Sequence, residues 1–201
     1  AKKIAGEAGT TVTAITINAA DASALAQYGV DKVLKVTNDK LSAFNAKAYA
    51  DAIKQAAQKE NAKYVLFAST TDSLYIAPLV AVGLEAGYAS NVVAAPESLS
   101  PFRVKRNAFS NKAFNVTEIT TDVKVLAIGK NSFGLIESPA SLTQEDFTPS
   151  LNDADFSVKV ESSEKVTGKV TIADAEVVVS GGRGLKGPEN WKMLEDLAEA
   201  F

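Results

Sequence analysis

Asn45-Ala-Lys-Ala-Tyr49-Ala-Asp-Ala-Ile53-Lys-Gln-Ala-Ala57-Gln-Lys-Glu60 runs through Asn61-Ala-Lys into Tyr64-Val-Leu-Phe-Ala68, and this pair of segments decides the fold class. In the first, Ala46, Tyr49, Ile53 and Ala56-Ala57 recur at helical spacing, which makes one face of a helix over 45–60 apolar. The second is a short continuous apolar run, as expected of a strand covered on both faces. Toward the N-terminus, Thr10 to Ile17 sets Val12, Ile15 and Ile17 among threonines as a strand. Asp21 can cap a short helix through Tyr28 that stops at Gly29, and Val33-Leu-Lys-Val36 is a second strand. Strand, helix and strand alternate, so the expected class is α/β with a mostly parallel, helix-flanked sheet of nucleotide-binding type.

Toward the C-terminus, Ser69-Thr-Thr-Asp72-Ser73 precedes a helix expected from about Leu74 to Ala86, with Pro78 near its first turn and Asp72 or Ser73 as its cap. Hydroxyls at the carboxyl end of a parallel strand also stand where such folds bind ligands, so an adenine-nucleotide module is one reading. Ser90–Ala95, Phe102–Phe109, Ala113–Ile119 and Val123–Gly129 are short runs divided by turn residues. They predict consecutive antiparallel strands or a hairpin added to the parallel sheet. Arg103, Lys105 and Arg106 lack the aromatic interleaving of a nucleic-acid reader and read as a solvated sheet edge. Residues 130–148 are turn-rich, Phe156 to Val160 alternates as a strand, and a domain boundary is expected near Ala173. That divides the chain into 1–172 and 173–201.

Composition narrows the chemistry. The 201 residues are 46% hydrophobic and 22% charged, with net charge −3 and Lys well mixed with Glu, which leaves no basic face for nucleic acid. No stretch approaches the roughly 20 apolar residues of a membrane span. Neither Cys nor His occurs, so disulfides, thiolate nucleophiles, Ser-His-Asp triads and the usual zinc sites are excluded. Any redox chemistry must come from an organic cofactor. The opening Ala1 to Gly9 reads as the last turns of a helix with a glycine stop, an expectation of a cut N-terminus in which targeting cannot be read.

Near the end stands Val177-Val-Val-Ser180-Gly-Gly-Arg183-Gly-Leu-Lys-Gly187-Pro-Glu-Asn-Trp191. Three β-branched residues predict a strand, the glycines a turn with positive φ, and Pro188 the first turn of a helix. Arg183 offers a planar fork to a phosphate or another anion. Gly182, Gly184 and Gly187 also match the spacing of a dinucleotide fingerprint, which opens a nicotinamide-dependent dehydrogenase reading. Trp191, Leu194, Ala198 and Phe201 lie at helical spacing and read as core-facing. If the rest of its domain is missing, the terminal strand and helix are expected either to be disordered or to pack on another chain.

This string, with Leu194 and Asp196-Leu-Ala198, closely resembles the α subunit of electron-transfer flavoproteins. Tyr64–Ala68, Ala77-Pro-Leu-Val-Ala-Val-Gly-Leu-Glu-Ala86 and Ser90-Asn-Val92 are similar to the family's strand and following helix. Arg106-Asn-Ala-Phe-Ser-Asn-Lys112 stands where the family commonly has Arg-Pro-Ala-Tyr/Phe-Gly-Gly-Asn, and Gly187-Pro188 replaces its usual Ser-Gly. The resemblance implies a first α/β domain, 1–172, then the truncated opening of an FAD-binding domain, 173–201, completed by a β subunit. It implies electron carriage rather than catalysis, from flavin dehydrogenases such as acyl-CoA dehydrogenases to a membrane quinone oxidoreductase. Of the family's flavin contacts it carries over Arg183, flanked by Gly182 and Gly184, as a fixed positive charge beside the cofactor, with no metal and no catalytic residue. The implied compartment is the bacterial cytoplasm or the mitochondrial matrix. FAD would belong to the complete heterodimer and not to this fragment alone.

Overall fold

In the computed structural model, which describes residues 1–158, 160–162, 164, 172 and 175–201, two compact units are formed, Ala1–Glu161 and Ser162–Phe201. Residue 173, where the sequence places a boundary, lies outside the described residues.

The first unit is built on the expected helix and strand. Helix α2, Ala46–Lys59, starts where the Asn45 side chain accepts from the backbone N–H of Lys47 and Ala48 at 3.1 and 3.2 Å, satisfying two of the four orphan amides. It buries Ala48, Ala50, Ala52, Ile53 and Ala56 and leads to β3, Tyr64–Ala68. Upstream lie α1 (Lys2–Ala8), β1 (Thr13–Ile17) and β2 (Lys32–Val36). Gly9 and Gly29 close the segments before these strands in the left-handed region, at φ 65° and 83°, where a side chain would be strained.

The strands divide into two sheets. The smaller runs β1–β2–β8 and is parallel throughout; β8, Thr143–Asp146, sits at its edge against β2. The larger runs β3–β7–β4–β5–β6, with β4 Gly87–Val92, β5 Arg103–Ala108, β6 Ala113–Glu118 and β7 Lys124–Ile128. Here β3, β7 and β4 are parallel, and β5 and β6 form an antiparallel hairpin continuing from β4. The fold is therefore α/β and mostly parallel with an added hairpin, as the sequence predicts.

β7 carries the two-sided core. Val125 packs with Ile53, Ile76, Ala77 and Val80 beneath α2 and the following helix, α3 (Thr71–Gly83). Its neighbour Leu126 points the other way, into Ile4, Ala89, Phe102, Val104 and Ile119. Successive side chains on opposite faces, both covered by apolar groups, are what a central parallel strand requires.

Several sequence expectations are corrected. The strand Val123–Gly129 is not antiparallel to its predecessors: β7 inserts between β3 and β4, parallel to both. Arg103, Lys105 and Arg106 lie on β5, which is internal, and β6 forms the edge. Helix α3 spans Thr71–Gly83, three residues earlier than expected at each end, because Thr70 supplies the cap. Ser73 Oγ returns the bond by accepting the Thr70 N–H at 2.9 Å, a reciprocal capping box that outcompetes a start at Asp72. Pro78 consequently falls inside α3, where it leaves the carbonyl of Leu74 without its usual donor on an exposed side. Among the described residues of 156–160 no strand forms. Asn152 and Asp155 close a capping box that turns 153–156 into a 3₁₀ helix and directs Phe156 against Val36 and Leu41; Lys159 lies outside the described residues.

Candidate functional site

The strand expected at Val177–Val179 is absent among the described residues: the segment joins no sheet, and Val177 and Val178 are at least half exposed. β-branched residues favour a strand only where a neighbouring strand and a covering face exist, and the described second unit supplies neither. Without that strand the glycine spacing lacks the context that a dinucleotide fingerprint needs.

After Ser180 the chain tightens into a 3₁₀ turn, Arg183–Leu185, with Gly182 before it. Leu185 N–H donates to the Gly182 carbonyl and Lys186 N–H to that of Arg183, both at 3.0 Å. Lys186 then adopts φ 65°, ψ −61°, a γ-turn of positive φ closed by the Gly187 N–H on the Leu185 carbonyl at 2.8 Å. The positive φ expected of the glycines therefore falls on a lysine. Gly181 serves close approach: a Cβ there would stand 2.2 Å from Leu185 Cδ1 and 2.8 Å from Leu194 Cδ1. At Gly182 and Gly184 a Cβ would meet nothing within 4 Å. Pro188 opens a second 3₁₀ turn, Pro188–Asn190, rather than the helix itself; α4, Lys192–Glu199, follows.

Arg183 thus sits at the head of a short turn, exposed, and its guanidinium meets no partner among the described residues. Beside it the backbone N–H groups of Gly181, Gly182, Arg183 and Gly184 donate to nothing among the described residues. Consecutive unsatisfied amides next to an unpaired guanidinium favour negative charge. An open depression of about 380 Å³ lies here, lined by Gly184, Leu185, Lys186, Asn190 and Met193. Of the three predicted residues only Gly184 lines this depression, with Gly182 and Arg183 as its chain neighbours; a guanidinium beside bare amides is chemistry that fits one anionic edge of a flavin dinucleotide. The depression is far too open to enclose the whole molecule. Gly181 and Asn190 were not singled out in the sequence.

Helix α4 corrects the reading of its apolar residues. Trp191 is 52% exposed and Phe201 81%, and the helix buries none of its residues. Trp191, Met193, Leu197 and Phe201 are exposed, while Leu194 is half-buried with its Cδ1 near Gly181.

Elsewhere, Thr70 and Ser73 are occupied with capping, and Ser69 Oγ is buried without a partner among the described residues. On the β5–β6 hairpin Arg103 pairs with Glu118 at 2.6 Å, and Arg106 donates to Ser90 Oγ at 3.2 Å. Among the described residues no group of three or more acidic side chains could hold a metal ion, and no helix is long and apolar enough to cross a membrane.

Comparison with known proteins places both units. Residues 1–154 match the family model described as electron transfer flavoprotein domain, and residues 171–201 match that of the electron transfer flavoprotein FAD-binding domain. The chain is similar to the electron transfer flavoprotein subunit alpha of Bacillus subtilis, at 30% identity over 90% of this chain and 56% of the relative. It is 27% identical to that of Pseudomonas aeruginosa over 99% of the chain and 63% of the relative. The mitochondrial protein of Oryza sativa subsp. indica is 29% identical over 90% of the chain and 52% of its own length. The chain therefore spans about half to just under two thirds of the length of these relatives.

Proposed function

We propose, from the premise that the chain belongs to the electron transfer flavoprotein family as an α-subunit chain, that it forms part of an electron carrier whose redox group is FAD. Residues 1–172 are the scaffold and subunit-interface domain, and 173–201 open the flavin-binding domain. The carrier takes electrons from flavin dehydrogenases, of which acyl-CoA dehydrogenases are the first candidates, and passes them to a quinone oxidoreductase. A β subunit completes the heterodimer. The compartment is the cytoplasm in a bacterium and the mitochondrial matrix in a eukaryote.

The observation that carries the reading is the Arg183 turn within a segment matched by a flavin-domain model: a guanidinium beside four backbone amides, none with a partner among the described residues. The flavin, when bound, supplies reversible electron uptake. Arg183 contributes a fixed positive charge that favours negative charge on a neighbouring group, an anionic reduced flavin or a phosphate, and Gly182 and Gly184 leave the backbone bare for close approach. The uncovered apolar residues of α4 fit a helix whose cover comes from the remainder of such a domain or from the partner subunit. The nicotinamide reading loses support because the described residues 175–181 form no strand before Gly182.

The test is the visible absorption spectrum of the parent subunit co-purified with its β partner, beside that of the 201-residue chain. A flavin spectrum in the heterodimer and none in this chain alone is the expected result. A heterodimer without flavin overturns the reading.

A further inference from the structure

We infer that Asn190 is a positioning residue for Arg183, acting through the carbonyl of Leu185; its bearing on flavin rests on the function proposed above. The Leu185 oxygen accepts two bonds, from Gly187 N–H at 2.8 Å and from Asn190 Nδ2 at 2.8 Å. The first closes the γ-turn at Lys186, a conformation that a non-glycine residue keeps only when its surroundings over-determine it. The second is that over-determining contact. It ties residue 190 back across the turn to residue 185, so that Lys186 has no relaxed path between two fixed ends.

Leu185 is also held from its side chain. Its Cδ1 fills the space that a Cβ on Gly181 would need, and Leu194 Cδ1 from α4 fills the rest. The residue is therefore fixed at its carbonyl by Asn190 and at its side chain by the bare Gly181 backbone and α4. Arg183 begins the 3₁₀ turn that Leu185 ends, and its guanidinium has no partner of its own among the described residues. The backbone at residue 183 therefore sets the origin and reach of that charge. Asn190 is exposed, so its hydrogen bond adds little to global stability, and its positioning role is separable from folding.

The experiment compares Asn190→Ala, Asn190→Asp, which keeps the shape but removes the donor, and Asn190→Gln, which keeps the donor on a longer arm. In the 201-residue chain, amide NMR reads the backbone coupling of Lys186 and the relaxation of residues 181–187. In the flavin-loaded heterodimer, FAD dissociation and thermal stability are read for the same variants and for Arg183→Ala. Asn190→Ala and Asn190→Asp are expected to release Lys186 from positive φ and to weaken FAD by about two- to ten-fold, the worth of one neutral hydrogen bond. The melting temperature should hardly move, and Asn190→Gln should restore part of both signals. An unchanged Lys186 coupling in Asn190→Asp overturns the inference. So does an unchanged FAD affinity in Asn190→Asp where Arg183→Ala loses flavin, an outcome that leaves the proposed function standing. If Arg183→Ala itself leaves FAD binding untouched, the flavin reading of this loop falls, and the positioning role falls with it.

Discussion

Gly87→Ala probes the seam where β4 begins beside β7. A Cβ at Gly87 would stand 2.4 Å from Ile119 Cγ2 and 2.8 Å from Thr121 Oγ1. Neither neighbour gives way easily. Ile119 is buried and β-branched, with a stiff χ1. Thr121 Oγ1 accepts the Gly87 N–H at 2.7 Å while donating to the Val123 carbonyl at 2.8 Å, so any shift breaks one of two bonds at the strand entrance. Overpacking of this kind costs roughly 1–3 kcal/mol. Against it, alanine restricts the unfolded chain and returns about 0.4–1 kcal/mol. The net expectation is a loss of about 1–2 kcal/mol, or a melting temperature lower by roughly 2–8 °C for a chain of this size. Urea titration followed by circular dichroism measures it, and Ile119→Ala completes a double-mutant cycle. Truncating Ile119 alone costs about 2–5 kcal/mol, but it also removes Cγ2, so the double variant should lose about 1–2 kcal/mol less than the sum. A Gly87→Ala protein as stable as the parent, or additivity within about 0.5 kcal/mol, would refute the steric argument.

Acid should act on the small sheet through Glu145. Lys32 at 2.7 Å and Lys59 hold its carboxyl down from 4.5 to about 2. A folded pKa below the unfolded one means the contribution is fully present above 4.5 and is lost as pH falls toward about 2. Glu145→Gln should therefore flatten the stability profile across that window, and an unchanged slope would show the ion pairs to be inert. At the α2 cap, Asn45→Ala should cost about 1 kcal/mol, while Asn45→Asp, which keeps the acceptor and loses only the donation to the Val158 carbonyl, should cost less. Equal losses in denaturant titration would place the value of Asn45 in the Val158 contact instead.

What was readable in the chain follows from where periodicity is strong. Tyr64–Ala68 is apolar throughout because both faces are covered, and its bounds are those of β3; Asn45 announces α2 by a cap whose chemistry is local. Thr143-Gln-Glu-Asp146 escaped because an edge strand held by backbone bonds to β2 needs no apolar side chain. β7 between β3 and β4 could not be read either, since neighbour order is set by long-range pairing that leaves no mark on local spacing. At the candidate site, residue type singles out Arg183, Gly182 and Gly184. The roles of Gly181 and Asn190 arise from contacts with Leu185 and Leu194, which no spacing rule announces. Val177–Val179 misled because propensity was read without asking what the strand would pair with.

The central claim is that this chain helps to hold a flavin whose electron-rich form is stabilised by Arg183. Potentiometric titration of the flavin-loaded heterodimer, wild type against Arg183→Ala, tests it most directly. Removing a fixed positive charge beside the cofactor should shift the flavin midpoint potential to more negative values, with Arg183→Lys intermediate. A potential unchanged in Arg183→Ala, or a heterodimer that carries no flavin to titrate, would contradict the account.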